Sequence, residues 1–324
     1  MTITNNRHFI DNIKVVLIFL VVFGHLIERY IESSNILMVM YIFIYIFHMP
    51  LFIYTSGYLS KNLNKNKKVF LKNLLIPYIL LNIVWYTLVY IYTGQVNLPI
   101  IYPGWTLWFL LSLFFWRIAL KYIVQIKYIL PISFILGILV GFIPYGSILS
   151  FSRTIVFLPF FLLGYYTDIY KIKNIFNKTN FSICVLGIII FIIISYFIVN
   201  KDILNYKFLY GSYSYRELGM SIYRGMIYRI LLYISSIMLS LFVVYIIPMS
   251  KTFFTHIGKS TLYVYVFHTY FVIFIFYLIP TWNENILDDF IIIISPLIIT
   301  YILSRNFFGK TYNNILNPIY RLIK

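Results

Sequence analysis

Long apolar stretches dominate the chain and recur along its whole length. Stretches such as residues 181–199 and 291–303 are apolar on every side and do not alternate with polar residues. A helix needs about 20 apolar residues to cross the hydrocarbon core, whereas the strands of a membrane barrel alternate. The pattern therefore predicts an all-α fold, a polytopic integral membrane helical bundle of about ten transmembrane helices. The predicted spans are residues 12–31, 37–59, 72–92, 105–123, 128–144, 151–167, 181–199, 225–248, 261–280 and 288–304.

Composition excludes a soluble domain. Of 324 residues, 61% are hydrophobic and only 11% are charged, too few charges to solvate a soluble surface. The net charge of +17 would suit a nucleic-acid partner, but the lysines and arginines cluster in short loops between apolar stretches, as in cytoplasmic loops of membrane proteins. We therefore expect membrane lipid, and no nucleic acid, as a partner.

Charge placement also predicts the topology. With the N-terminus in the cytoplasm, lysine-rich loops such as residues 61–68 lie inside, and acids such as Glu28, Asp202 and Glu217 lie outside. The opposite orientation would violate the positive-inside rule. Both termini are therefore predicted to be cytoplasmic, and residues 1–324 to form a single membrane domain.

The first span carries ionisable residues that are costly in lipid. Lys14 and His25 are eleven positions apart, so at about 100° per residue they return to nearly the same helix face, roughly 16 Å apart along the axis. Asp11 precedes Lys14 by three residues and Glu28 follows His25 by three, which completes one polar stripe. Taken singly, Lys14 is equally consistent with a snorkelling lysine and with a functional one, and the alternative for His25 is a structural histidine bonded to a neighbouring helix. A shared stripe instead favours a functional face toward the bundle interior or a water-filled path, beside Gly24, which permits close approach of another helix or a substrate.

Further histidines lie in other spans. His48 precedes Pro50 near the middle of the second span, where it either handles protons with the first span or only bonds a neighbouring helix. His268 in the ninth span is open to the same two interpretations. No histidine pair has an i,i+4 or HxH spacing, and the single Cys184 offers neither a disulfide nor a cysteine metal site. We expect no metal.

Three basic positions suggest contacts with anionic or polar groups. Arg153 stands at the outer mouth of the sixth span, where it either anchors the interface or faces an anionic group or an oxyanion. The Tyr-rich outer loop, residues 200–224, is either an ordinary interfacial loop or a surface for a sugar. Lys68 and Lys72 belong to a basic cytoplasmic region that topology explains in part and that would also attract phosphates.

The ordered motifs resemble the acyltransferase-3 family, and within it the fucose 4-O-acetylase-like branch. The family signature is an Arg or Lys that precedes a His by ten intervening residues, as Lys14 precedes His25 here. The similarity extends over nearly the whole chain. The other matching segments are residues 47–52 with Ser56 and Gly57, 74–78, 105–110, 149–154 and 258–263.

The resemblance implies a membrane enzyme that moves an acyl group, usually acetyl, from cytoplasmic acyl-CoA to a hydroxyl of an extracytoplasmic or lipid-linked carbohydrate. Acetyl-CoA would be the donor substrate, with no permanently bound cofactor. It also implies that His25 is essential and that Lys14 is its partner. Arginine is commoner at the latter position, and lysine cannot make the bidentate fork to a phosphate.

The residues fit that chemistry. Acyl transfer needs a base for the hydroxyl proton, a donor to the carbonyl oxyanion and aligned reactants. We expect His25 to be the base or a transient acyl carrier, His48 to assist proton transfer or the oxyanion, and Arg153 to meet the carbohydrate. Asp11, the neighbour of Lys14, completes the candidate catalytic group. The groups expected to hold CoA phosphates are Lys14, Lys68 and Lys72.

Two other functions use the same features. A transporter or flippase for a lipid-linked or acylated saccharide would line its path with the polar stripe, and a membrane sensor or scaffold would use the histidines structurally. Inverted repeats and paired broken helices would favour a transporter, and the sequence shows neither. The high Ile, Asn, Lys and Tyr content indicates an AT-rich genome and hence a bacterial plasma membrane.

Overall fold

The computed structural model describes residues 3–63, 67–95, 101–176, 181–283 and 285–322, which contain helices and no β-strand. The middle of the predicted basic loop, residues 64–66, lies outside these ranges. Leu71–Leu75 forms a π-helical stretch that joins two α-helices. The α-helices are α1 (Ile3–Ile27), α2 (Asn35–Tyr58), α3 (Lys67–Phe70), α4 (Ile76–Thr93), α5 (Trp108–Ile123), α6 (Ile129–Leu139), α7 (Phe151–Tyr166), α8 (Ile169–Phe176), α9 (Phe181–Asn200), α10 (Ile222–Ile246), α11 (Thr261–Leu278), α12 (Ile286–Leu303) and α13 (Asn306–Leu322).

A helix lies at each of the ten predicted positions. Among the described residues, eight helices are long and apolar enough to cross a membrane. The helices at the fourth and fifth predicted positions, α5 and α6, are shorter, at 16 and 11 residues. The structure thus supports a multi-pass helical protein, whereas the count of ten and the cytoplasmic termini stay predictions.

The chain divides into two compact units. The first comprises Met1–Phe52, Ile169–Leu204 and Ser235–Lys324, and the second comprises Ile53–Asp168 and Asn205–Ile234. The single membrane domain expected for the whole chain stays a prediction.

In the first unit, α1 packs against α11, α12 and the 3₁₀ turn Thr255–Lys259. Its apolar residues Leu17, Ile18 and Val22 are fully buried. A β-carbon added to Gly258 would overlap the backbone of Asp11. Burial on several sides of α1 explains why this helix can carry polar side chains that lipid would not tolerate.

In the second unit, glycines bring helix backbones into direct contact. A β-carbon built on Gly57 would overlap the carbonyl oxygen of Phe161, and one on Gly164 would overlap that of Tyr54. Small residues at a helix interface permit this approach in membranes. The C-terminal part of α2 is therefore held closely against α7.

Candidate active site

The polar stripe of α1 consists of two polar pairs, one in its N-terminal half and one at its C-terminal end. Asp11 Oδ1 lies 2.9 Å from Lys14 Nζ, and Glu28 Oε2 lies 3.1 Å from His25 Nδ1. Both pairs join residues three positions apart, on one face of the helix. Because α1 is a continuous helix from Ile3 to Ile27, Lys14 and His25 are about 16 Å apart along its axis.

Glu28 fixes the hydrogen-bonding role of the His25 ring. A carboxylate only accepts hydrogen bonds, so the contact assigns the proton to Nδ1 and leaves the lone pair on Nε2. The hydroxyl of Tyr45 lies 3.4 Å from the same Nδ1. The side chains of His25 and Glu28 are 13% and 24% exposed, so the pair is largely, but not fully, removed from solvent. His25 therefore has an oriented nitrogen that can accept a proton.

Gly24 permits the approach of α2 to this histidine. A β-carbon at Gly24 would lie 3.0 Å from Cε2 of Tyr45, closer than ordinary van der Waals contact. The close helix approach expected at Gly24 is thus present, and the residue that uses it is Tyr45.

A second histidine lies directly against His25. The rings of His25 and His268 stack with their centroids 5.5 Å apart and an interplanar angle of 29°. His268 is fully buried, and its Nδ1 donates to the carbonyl oxygen of Tyr265 at 2.7 Å. Within the described part of the chain, its buried Nε2 has no hydrogen-bond partner. Such a nitrogen is a proton acceptor without a protein donor.

His48 reaches the same cluster through an aromatic ring. It is 1% exposed, and its Nδ1 donates to the carbonyl oxygen of Ile44 at 2.8 Å. The ring centroid of His48 is 4.7 Å from that of Tyr45, which is in turn 6.4 Å from that of His25. His25, His48 and His268 therefore lie around one site in the first unit, although they come from three helices.

Asn12 forms a buried junction beside the Asp11–Lys14 pair of α1. It is fully buried, and its amide donates to the carbonyl oxygens of Pro248 and Ser250 at 2.8 and 2.9 Å. Its amide oxygen accepts from the hydroxyl of Thr255 at 2.6 Å. These bonds tie the segment after α10 to the turn that carries the Asp11–Lys14 pair.

The remaining predicted site residues lie in the second unit. Arg153 donates from Nε to the carbonyl oxygen of Tyr210 at 3.2 Å and from Nη2 to Ser212 Oγ at 3.4 Å, and its guanidinium lies 5.0 Å from the ring centroid of Trp108. Arg153 thus ties the Tyr-rich loop to α7, and both interpretations of Arg153, as an interface anchor or as a contact for an anionic group, stay predictions. The side chains of Lys68 and Lys72 are exposed.

The described ranges contain no group of three or more His, Cys, Asp or Glu side chains placed to hold an ion. The predicted site residues that the structure brings together on α1 are acid–base groups, and Lys14 is paired to the carboxylate of Asp11.

Sequence reasoning did not assign roles to Tyr45 and Asn12, and it gave His268 less weight than His48. Asn12 carried a signal, because it is a polar residue at the edge of an apolar span. Nothing in the sequence singles out Tyr45, because it is one of 32 tyrosines. Its contact with His25 arises from the packing of α2.

These features define a class: a multi-pass helical membrane protein whose first helix presents a carboxylate-oriented histidine. Residues 7–305 match the acyltransferase-3 family, described as an acyltransferase domain, and the chain belongs to that family. No curated protein and no solved structure matches it. The resemblance drawn from the motifs is confirmed at the level of the family, and the fucose 4-O-acetylase-like branch stays a prediction. Family and apolar helices together indicate a membrane acyltransferase.

Proposed function

We propose that the protein is an O-acyltransferase of the fucose 4-O-acetylase-like branch, located in a bacterial plasma membrane. It moves an acyl group, acetyl in the first instance, from cytoplasmic acyl-CoA to a hydroxyl of a cell-surface or lipid-linked carbohydrate. The observation that carries the proposal is the pairing of His25 Nδ1 with Glu28, because it leaves Nε2 as the base in a chain of an acyltransferase family.

His25 alone can carry out both proton transfers of the reaction. Nε2 of His25 takes the proton of the acceptor hydroxyl as the oxygen attacks the thioester carbonyl carbon. The tetrahedral intermediate then expels the CoA sulfur, which receives the same proton from the imidazolium. Glu28 stabilises that imidazolium while it exists, as a carboxylate does for histidine in other acyl transfers.

A second route uses the same atom as a nucleophile. Nε2 attacks the thioester, releases CoA and carries the acyl group until the acceptor hydroxyl displaces it. Both routes need the lone pair on Nε2. They differ in whether an acyl-protein forms in the absence of acceptor.

The neighbouring groups take supporting roles. The hydroxyl of Tyr45 lies 3.4 Å from Nδ1 of His25 and is suited to donate a hydrogen bond to the oxyanion. His48 and His268 donate from Nδ1 to backbone carbonyls, so each neutral ring presents Nε2 as an acceptor. That assignment favours proton transfer over oxyanion stabilisation for His48.

Donor and acceptor are assigned to separate groups of residues. Lys14, with its carboxylate partner Asp11, and the exposed Lys68 and Lys72 are proposed to hold CoA phosphates by charge. An extended pantetheine arm suits the roughly 16 Å between Lys14 and His25. Arg153 and the Tyr-rich loop are proposed to contact the carbohydrate.

The test uses membrane vesicles that contain the native glycan and radiolabelled acetyl-CoA. We expect label in the glycan, and its loss in His25→Ala. His256→Ala is the matched control, since His256 is exposed and should leave transfer unchanged. Label on the protein when glycan is absent would select the acyl-carrier route. Normal acetylation by His25→Ala would contradict the proposal, and transport of the saccharide without any labelling would favour the transporter.

A further inference from the structure

A small pocket in the second unit is lined at one end of α5 by basic side chains. The turn after α2 and the last residue of α3, Phe70, complete its wall. The basic residues are Arg117 and Lys121, and the described residues that line the pocket include no carboxylate. The enclosed space is about 20 Å³, which is room for one oxygen-sized group.

Arg117 has no anionic partner in the part of the chain that the structure describes. Its buried Nε has no hydrogen-bond partner, and the guanidinium forms no ion pair with a described carboxylate. The group lies over the ring of Phe70, with Cζ 5.8 Å from the centroid. A guanidinium with an unsatisfied buried nitrogen is costly unless an acceptor is supplied. A ligand oxygen would satisfy it.

A second basic residue lies on the same face of α5 as Arg117. Arg117 and Lys121 are four residues apart, so their side chains share one helix face. Ser60 also lines the pocket, but its hydroxyl donates to the carbonyl oxygen of Ser56 at 2.6 Å, so it has no proton left for a ligand. The charged donors are therefore Arg117 and Lys121, beside the amide of Asn62, and the complementary ligand is an oxyanion.

We propose that this pocket binds a phosphate group, with one oxygen held by Arg117 and the charge shared with Lys121. Arginine presents five N–H donors in a fork that matches phosphate. The pocket lies at the end of α5 that charge placement predicts to be cytoplasmic. A cytoplasmic phosphate comes from one of two sources, the CoA moiety of the donor or the headgroup of an anionic lipid. The inference that CoA supplies the phosphate rests on the proposed function.

Binding measurements distinguish CoA from an anionic lipid as the source of the phosphate. Affinities for CoA and for dephospho-CoA, which lacks the 3′-phosphate, are measured on the full chain in phosphatidylcholine nanodiscs. We expect Arg117→Gln to weaken CoA binding at least tenfold, and Lys127→Gln, an exposed lysine in the following loop, to stay within twofold. If CoA affinity is unchanged and Arg117→Gln instead loses bound phosphatidylglycerol by native mass spectrometry, the phosphate belongs to lipid.

Transfer gives an independent readout. Arg117→Gln should lower transfer from acetyl-CoA but not from acetyl-N-acetylcysteamine, a thioester without phosphates. If Arg117→Gln does not fold, the exposed Lys121→Gln carries the same comparison. Unchanged binding of CoA and of anionic lipid in both variants would overturn the phosphate site. If the protein transfers no acyl group but its CoA binding still depends on Arg117, the proposed function is overturned and the phosphate site is retained.

Discussion

Replacing Glu28 with glutamine tests how much the carboxylate contributes to catalysis by His25. Glutamine keeps a side-chain oxygen that can accept from Nδ1, so the substitution removes the charge and keeps an acceptor. Only the charged intermediate should be affected, since the carboxylate stabilises the imidazolium more than the neutral ring. We therefore expect kcat to fall while the KM for acetyl-CoA changes little.

The structure sets the size of the effect. Unit charges 3.1 Å apart attract by about 5 kcal/mol at an effective dielectric constant near 20 and by about 1.3 kcal/mol in bulk water. The side chains are partly exposed, at 13% and 24%, so a value between these limits, about 2–4 kcal/mol, is expected. That range lowers kcat about 30- to 1000-fold.

The assay is initial-rate acetyl transfer in vesicles, with the amount of folded protein measured in each sample. Glu32→Gln is the matched control, because Glu32 is an exposed acid four residues further along the chain and should leave kcat unchanged. Glu28→Asp should recover part of the loss if the shorter carboxylate reaches the ring. If Glu28→Gln keeps a rate within threefold of the native one while His25→Ala is inactive, the carboxylate does not support His25 and the reasoning is refuted.

Three further results are expected. His268→Gln should lower kcat about tenfold or more, as loss of an acid–base group does, with KM little changed; a kcat within twofold of the native value in a rate assay would assign the stacked ring a packing role only. Gly57→Ala should lower the melting temperature, because its β-carbon overlaps the backbone of Phe161 and overpacking costs about 1–3 kcal/mol; unchanged melting would contradict the close contact. Burial alone would raise the pKa of the Glu217 carboxyl, but hydrogen bonds from the backbone and hydroxyl of Ser214 outweigh it and lower that pKa below 4.5. Ionised Glu217 thus stabilises the fold above about pH 4.5, and this stabilisation is lost as pH falls through the lowered pKa. Between pH 6 and pH 3 the melting temperature should therefore fall less steeply in Glu217→Gln than in the native protein. Identical profiles of the two proteins would contradict this.

Periodicity and charge predicted the helical segments because lipid imposes a minimum apolar length on any helix that crosses it. The same reasoning extended α5 and α6 beyond their helical residues, since flanking residues are apolar whether or not they are helical. It missed α8 and α13, because polar and charged residues interrupt the apolar residues of both helices.

The arrangement of site residues within α1 could be predicted from the sequence, whereas the contacts between residues of different helices could not. Local spacing alone predicted the common face of Asp11, Lys14 and His25, because it depends only on helix geometry. The stacking of His268 on His25 depends on how α11 packs against α1, which residue spacing within either helix does not determine. The burial of Nε of Arg117 without a hydrogen-bond partner is likewise a property of the packed unit and not of α5.

The two polar pairs of α1 have a consequence for membrane insertion. An unpaired charge at the centre of a membrane helix costs about 2.5–3.5 kcal/mol on insertion scales. Asp11 pairs with Lys14, and Glu28 accepts a hydrogen bond from His25, each within one helical turn. These local partners lower the cost of inserting α1 before α2, α11 and α12 bury its polar face.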